Sequence, residues 1–148
     1  MKDYEINDET MALIQLGEEK TKIIEEDKEY VIDKSAYSIM DDRCKYFGSS
    51  YLGRVEGSKN MIGYEYKLPI IVEESRKLIF FPTSSPYSED CSWISLKHVD
   101  NIEKNDNNTI LVFKNGTKVK LNVSKASFNN QLLRSTRLES VLNAIKEK

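Results

Sequence analysis

The side chains best suited to catalysis or metal binding are few in this 148-residue sequence. His98 is the only histidine, and Cys44 and Cys91 are the only cysteines. A histidine beside a cysteine could activate a thiolate, but nothing in the sequence places these three residues together. A structural zinc site takes four such ligands at recognisable spacing. The scattered positions therefore favour reduced, partly buried thiols, and we expect no catalytic residue and no metal ligand.

Two other patterns that can mark an enzyme are weak. Adjacent carboxylates such as Glu18 and Glu19 lie in hydrophilic runs, where no apolar surroundings would shift a pKa. The glycines at positions 48 and 53 fit neither the P-loop nor the dinucleotide-binding spacing. The sequence therefore predicts a protein that is not an enzyme and that binds no cofactor.

The segment RCKYFGSSYLGR, residues 43–54, has a composition that suits contact with a polyanion. Arginine and lysine neutralise phosphates, hydroxyls bond to them, and glycines let a backbone approach closely. A packed helix end followed by a loop would have a similar composition. The residue types alone therefore leave both interpretations open.

Charge is unevenly distributed along the chain, although the formal net charge is only −2. Residues 1–42 are rich in carboxylates, whereas residues 107–138 contain several lysines and arginines and no acidic residue. Such a split permits a basic face on a nearly neutral protein. Solvated charges on a strand and a helix would give the same pattern.

The first half of the chain predicts strands around a short helix. Residues 4–16 and 22–32 are typical of strands, and Ser35 could cap a helix whose apolar stripe ends at Gly48. Residues 48–63 contain four glycines among polar residues and predict a loop. A loop of that length is uncommon in a compact domain unless it is functional or a flexible insertion.

The second half predicts further strands and a long helix. Residues 68–72, 78–82 and 91–96 suit strands, and Asn115-Gly116 predicts a two-residue type I′ hairpin turn. In that register Val112 faces Val119 and Ile110 faces Leu121 on the core side. Phe113 then lies opposite Lys118, and Leu111 opposite Lys120, on the other side.

The apolar stripe of residues 128–145 predicts a C-terminal amphipathic helix. We therefore predict an α+β fold, a single domain over residues 1–148, with a mainly antiparallel β-sheet or barrel of pleckstrin-homology-like order and one short inserted helix. No apolar run reaches the length of a membrane span, and the acidic N-terminus does not resemble a secretion signal, so we expect a cytoplasmic protein with no membrane partner.

Several segments resemble the competence transcription factor (ComK) family of low-GC Gram-positive bacteria. The 43–54 segment is similar to the family's signature, and Leu68 replaces the first proline of a second motif. The resemblance covers roughly residues 4–142, with matching segments at 67–71, 80–83, 91–95, 113–121 and 127–131 together with Arg134.

The resemblance implies a transcription activator of DNA-uptake genes that binds double-stranded, A·T-rich boxes mainly through the minor groove. A narrow minor groove attracts arginine and lysine, which is compatible with that mode. It further implies a homodimer that pairs on DNA in the nucleoid, with RNA polymerase and a proteolytic adaptor as protein partners. The family usually carries a further C-terminal tail beyond the position of Lys148, and Val55-Glu56 stand where it tends to have another basic residue.

Basic and hydroxyl side chains in the matching segments are the predicted DNA contacts. They are Arg43, Lys45, Ser49, Ser50, Tyr51, Arg54, Lys59, Lys118, Lys120, Arg134 and Arg137. Two alternatives remain open at the level of sequence. One is a pleckstrin-homology-like protein-interaction module without DNA affinity, and the other is a thiol enzyme in which a cysteine lies beside His98.

Overall fold

A computed structural model describes residues 3–147 of the chain. Within this range the chain forms three α-helices, namely α1 (Ala36–Tyr46), α2 (Tyr51–Ile62) and α3 (Lys125–Lys146). The same range contains nine strands: β1 (Thr10–Gln15), β2 (Thr21–Glu25), β3 (Glu29–Ile32), β4 (Ile70–Glu73), β5 (Leu78–Pro82), β6 (Trp93–Ser95), β7 (Val99–Asn105), β8 (Asn108–Phe113) and β9 (Lys118–Leu121). A 3-10 turn, Leu96–His98, joins β6 to β7.

A six-stranded antiparallel sheet lies at the centre of the described residues, in the order β3-β2-β1-β6-β5-β4. Side chains alternate between its faces. Leu13, Phe80 and Trp93 point to the face covered by α1 and α2. Ala12 and Ile94 belong to a separate cluster on the opposite face. Because both faces are buried, the strands contain nearly continuous apolar runs.

Helix α1 forms where the sequence predicts it. The Ser35 hydroxyl accepts a hydrogen bond from the Ser38 backbone N–H at 3.1 Å, which satisfies one of the free donors of the first turn. The buried residues Ile39, Met40 and Cys44 lie on one stripe and pack against the central sheet. The prediction of a capped amphipathic helix ending near Gly48 is therefore confirmed.

The predicted loop at residues 48–63 is wrong, because most of it is helix α2. Ser50 caps the first turn by accepting the Gly53 N–H at 3.0 Å, and Gly63 ends the helix in the left-handed conformation, at φ +77°. A glycine inside a helix costs about 1 kcal/mol relative to alanine, so Gly53 and Gly57 argue against a helix locally. Burial of one side of the helix against the sheet outweighs that cost.

The opposite face of the central sheet is covered by α3 and by a three-stranded antiparallel sheet, β7-β8-β9. Phe128 near the start of α3 packs against Phe81 at a ring-centroid distance of 5.4 Å. Farther along α3, Leu138 and Leu142 pack with Ile62 of α2. The fold is thus α+β with antiparallel sheets and a C-terminal helix, as predicted. Neither sheet of residues 3–147 closes on itself, and the pleckstrin-homology-like order is not confirmed.

The β8–β9 hairpin differs from the prediction by one residue. Gly116 N–H donates to Phe113 C=O, and Phe113 N–H donates to Thr117 C=O, both at 2.9 Å. This is a three-residue loop with Gly116 at φ +91°, which replaces the predicted type I′ turn. A shift of one residue in the strand register turns every side chain of that strand to the other face of the sheet. Leu111 therefore pairs with Val119 on the core side, and Val112 and Ile110 lie opposite Lys118 and Lys120 on the outer side.

The segment that leads into β1 contacts both layers. The Arg43 Nε–H donates to the Ile6 carbonyl at 2.9 Å on the helix side. Two residues later, the Asp8 carbonyl contacts His98 Nε2 at 2.6 Å, and the Asp8 carboxylate pairs with Lys97. The leading segment is thus attached at two points that belong to different parts of the fold.

The two cysteines are free and buried. Burial raises the pKa of the Cys44 thiol to about 12 and also raises the pKa of Cys91. His98 contacts Asp8 and Glu26 rather than either cysteine. None of the helices in residues 3–147 combines the length and the apolarity needed to cross a bilayer.

We predict that neither thiol reacts with iodoacetamide in the native protein at pH 8. A pKa of about 12 leaves on the order of 10⁻⁴ of the Cys44 thiol as thiolate, and the side chain is also shielded. Both cysteines should react only as fast as the protein unfolds, as followed by mass spectrometry. A Ser140→Cys variant supplies the control, because Ser140 is exposed on α3. Rapid labelling of Cys44 at native pH 8 would contradict the buried placement.

Candidate nucleic-acid interface

The 43–54 segment is a compact corner between two helices. It comprises the last turn of α1, a short connection and the first turn of α2. Asp41 Oδ1 accepts the Tyr51 N–H at 2.8 Å, and the Cys44 carbonyl accepts the Ser49 N–H at 3.0 Å. These bonds hold the corner in one conformation before any ligand arrives.

Tyr51 belongs to the core and not to the surface. Its ring lies 5.7 Å from Trp93 and 4.9 Å from Tyr37, edge to face in both pairs. Burial raises the pKa of the Tyr51 phenol. The side chain therefore stabilises the corner, and DNA on the surface would not reach its ring.

Arg43 is largely engaged within the protein. Its guanidinium lies 4.5 Å from the Tyr46 ring and 4.7 Å from the Phe47 ring, and Nη1 lies 3.5 Å from a Glu5 carboxylate oxygen. Only 13% of the side chain is exposed. A stacked guanidinium that also donates to the Ile6 carbonyl positions the N-terminal segment on α1.

Arg54 is likewise shielded, with 18% of its side chain exposed. Its Nη1 lies 3.8 Å from the Glu74 carboxylate, and its Nε is buried without a hydrogen-bond partner. Phe47, Glu73 and Glu74 surround it in a small depression. A phosphate would have to compete with these carboxylates for the guanidinium.

Three predicted lysines are more exposed, and each has one carboxylate partner. The nitrogen–oxygen distances are 3.0 Å for Lys45–Asp41, 3.1 Å for Lys59–Glu65 and 3.6 Å for Lys118–Glu103. Both partners are exposed in the Lys59 and Lys118 pairs, and such pairs contribute at most about 1 kcal/mol. Asp41 is only 19% exposed, because it also accepts the Tyr51 N–H.

The remaining predicted cations have no ion pair within residues 3–147. Lys120 is exposed on β9 and Arg137 on α3. Arg134 donates to the Tyr66 carbonyl at 2.8 Å and lies 4.4 Å from the Tyr64 ring, so it fastens the chain after α2 to α3. Of the predicted cations, Lys120 and Arg137 are accordingly the least bound by other groups of the protein.

The predicted contacts fall into two groups on different sides of the central sheet. The residues of the 43–54 segment and Lys59 belong to the layer of α1 and α2. Arg134 and Arg137 lie on α3, which covers the opposite face of the central sheet together with the second sheet. Lys118 and Lys120 lie on the outer face of the second sheet, across the central sheet. The structure therefore does not unite all of these cations on one continuous surface.

Sequence reasoning missed Asp41, which holds the corner together. Asp41 accepts the Tyr51 N–H and pairs with Lys45 four residues later on the same helix. The spacing of four between an acidic and a basic residue is a recognisable signal for the pair. The contact with Tyr51 depends on the turn between the helices, for which the sequence carried no signal.

We predict that Ser50→Ala lowers the free energy of unfolding by about 1 kcal/mol, because the Ser50 hydroxyl caps α2. Urea denaturation measures this change. Ser49→Ala is the matched control, since the Ser49 hydroxyl has only a 3.5 Å contact with the Ser50 carbonyl. Equal effects of the two substitutions would contradict the assignment of Ser50 as the cap.

The chain is similar to known proteins along most of its length. The model of the family described as "ComK protein" matches residues 1–146. The chain is also 34% identical over 144 residues to the "Competence transcription factor" of Bacillus subtilis (strain 168), covering 95% of this chain and 75% of that protein. No solved structure matches it. The residues matched and the identity show that this chain belongs to the ComK family.

Proposed function

We propose that this protein is a transcription activator of competence genes that binds double-stranded, A·T-rich DNA, mainly through the minor groove. The observation that carries the proposal is the match to the ComK family over residues 1–146. The name of the Bacillus subtilis relative, a competence transcription factor, supports the activator role. Homodimers that pair on DNA, a nucleoid location, and contact with RNA polymerase and a proteolytic adaptor complete the proposal.

The exposed cations support minor-groove binding better than the shielded ones do. Lys45 and Lys59 have flexible side chains on the α1–α2 side of the molecule, and Arg137 is exposed on α3. A narrow A·T-rich minor groove has a strong negative potential that attracts such groups. Arg43 and Arg54 hold the corner in shape, so we assign them a positioning role beside any direct contact.

We predict that the protein shifts an A·T-box duplex in a gel and shifts a G·C-matched duplex much less. The affinity should fall as salt rises, with a log–log slope of about −0.9 for each phosphate contact. Fluorescence anisotropy over a salt series measures that slope. Failure to bind at low salt, or an affinity that salt does not change, would overturn the proposal.

Paired substitutions separate the two groups of cations. We expect Lys45→Ala with Lys59→Ala to weaken binding and to reduce the magnitude of the salt slope by about two, because two phosphate contacts are lost. Lys118→Ala with Lys120→Ala tests the second sheet in the same assay. Lys28→Ala with Lys20→Ala removes equal charge from exposed positions outside both groups. If this control pair weakened binding as much as the first pair, only net charge would matter and the assignment of the α1–α2 side would be wrong.

A further inference from the structure

An open groove runs beside α2, and Tyr51 is the one predicted DNA contact among its lining residues. Its apolar part has a volume of about 450 Å³ and lies between α2 and the segments 65–68 and 85–87. Leu52, Val55, Tyr66, Pro86 and Tyr87 line most of it. A volume of this size lies within the range of pockets that hold a bulky ligand or side chain.

The groove exposes large apolar side chains to solvent. The exposed fractions are 61% for Leu52, 80% for Tyr66 and 69% for Tyr87. Several large exposed apolar groups around one depression mark an interaction site more often than a solvated surface. Tyrosine in particular combines a large contact area with low conformational freedom, which suits a protein interface.

An acidic depression adjoins this groove across Pro86 and Tyr87. It has a volume of about 320 Å³, and its wall includes Glu18, Glu19 and Glu89. Beyond it, Glu89 and Asp90 lie beside Leu16 in a further open depression. None of these four carboxylates forms an ion pair with a lysine, arginine or histidine in the range 3–147.

We propose that this apolar–acidic groove docks a segment of a partner protein that carries a bulky apolar side chain followed by lysines or arginines. The apolar anchor would enter the part lined by Leu52 and Tyr66, and the cations would meet Glu18, Glu19 and Glu89. Charge complementarity carries the choice of partner, since unpaired carboxylates repel a phosphate backbone and attract a cationic peptide. The inference does not depend on DNA binding.

Lys67 and Glu65 also line the apolar part, but they do not change this charge assignment. They carry opposite charges at its rim, and Glu65 is already paired with Lys59. The excess negative charge therefore lies at the other end of the groove. This polarity fixes the direction in which the partner segment would lie.

A labelled peptide tests the proposal directly with the full chain. The probe is a fluorescein-labelled peptide of about twelve residues, with a Leu-Phe pair near one end and four lysines towards the other. Fully extended it spans about 40 Å. We expect saturable binding by fluorescence anisotropy that weakens as salt rises. A peptide with glutamate in place of each lysine should not bind.

Substitution of the carboxylates tests the acidic part. We expect Glu18→Gln, Glu19→Gln and Glu89→Gln together to weaken peptide binding about tenfold at low ionic strength. The matched control is Asp100→Asn, Glu103→Gln and Asp106→Asn, which removes equal charge from β7 and its following turn. Equal weakening by the two triple variants would overturn the proposal, because net charge alone would then explain the binding.

Substitution of an exposed leucine tests the apolar part without disturbing the core. Leu52→Ser should weaken peptide binding about fivefold or more through loss of apolar contact area, whereas Leu133→Ser on α3 should leave it unchanged. Equal binding by wild type and Leu52→Ser would overturn the anchor. Sedimentation of the same proteins identifies the other occupant: if wild type self-associates and only the groove variants become monomeric, a second copy fills the groove and the proposal is wrong.

Discussion

The architecture depends on the burial of both faces of the central sheet. A strand that is covered on one side only can have polar residues at every second position, whereas here Leu13 and Ala12 are both fully buried although they point in opposite directions. Each face of the sheet must therefore be covered by another layer of helices or strands. Helices α1 and α2 supply one, and α3 with the second sheet supplies the other. The corner formed by residues 43–54 is part of the layer of α1 and α2, which explains why several of its residues belong to the core.

The sequence predicted the elements whose local signals agree with their tertiary environment. Ser35 caps α1, and the stripe of α1 faces the sheet as its spacing indicates. Helix α2 was missed because Gly53 and Gly57 lower helix propensity, and because the burial of Tyr51 and Ile62 depends on partners distant in sequence. The cap at Ser50 is a local signal, since Ser50 accepts the Gly53 N–H three residues later. The hairpin was placed correctly but shifted by one residue, since Asn115-Gly116 fits both a two-residue and a three-residue loop.

The site was less predictable than the fold. Residue types identified the cations, but the partners of Arg43 and Arg54 are Glu5 and Glu74, which no local pattern connects to them. Two arginines of the signature thus have structural contacts that composition could not reveal. The lysines at 45, 59 and 118 are more exposed than these arginines, and each is paired with one carboxylate.

The segment that leads into β1 contacts the helix layer at Ile6 and the turn before the second sheet at Asp8. These two contacts connect the layers on opposite faces of the central sheet. Arg43 belongs to the helix layer, whereas Lys97 and His98 lie in the turn that leads to the second sheet. Only one residue separates the two attachment points, so the chain between them has almost no slack. A displacement of α1 would be passed along this short tether to the start of β7. The segment that leads into β1 is therefore bound to both layers at two nearly adjacent residues.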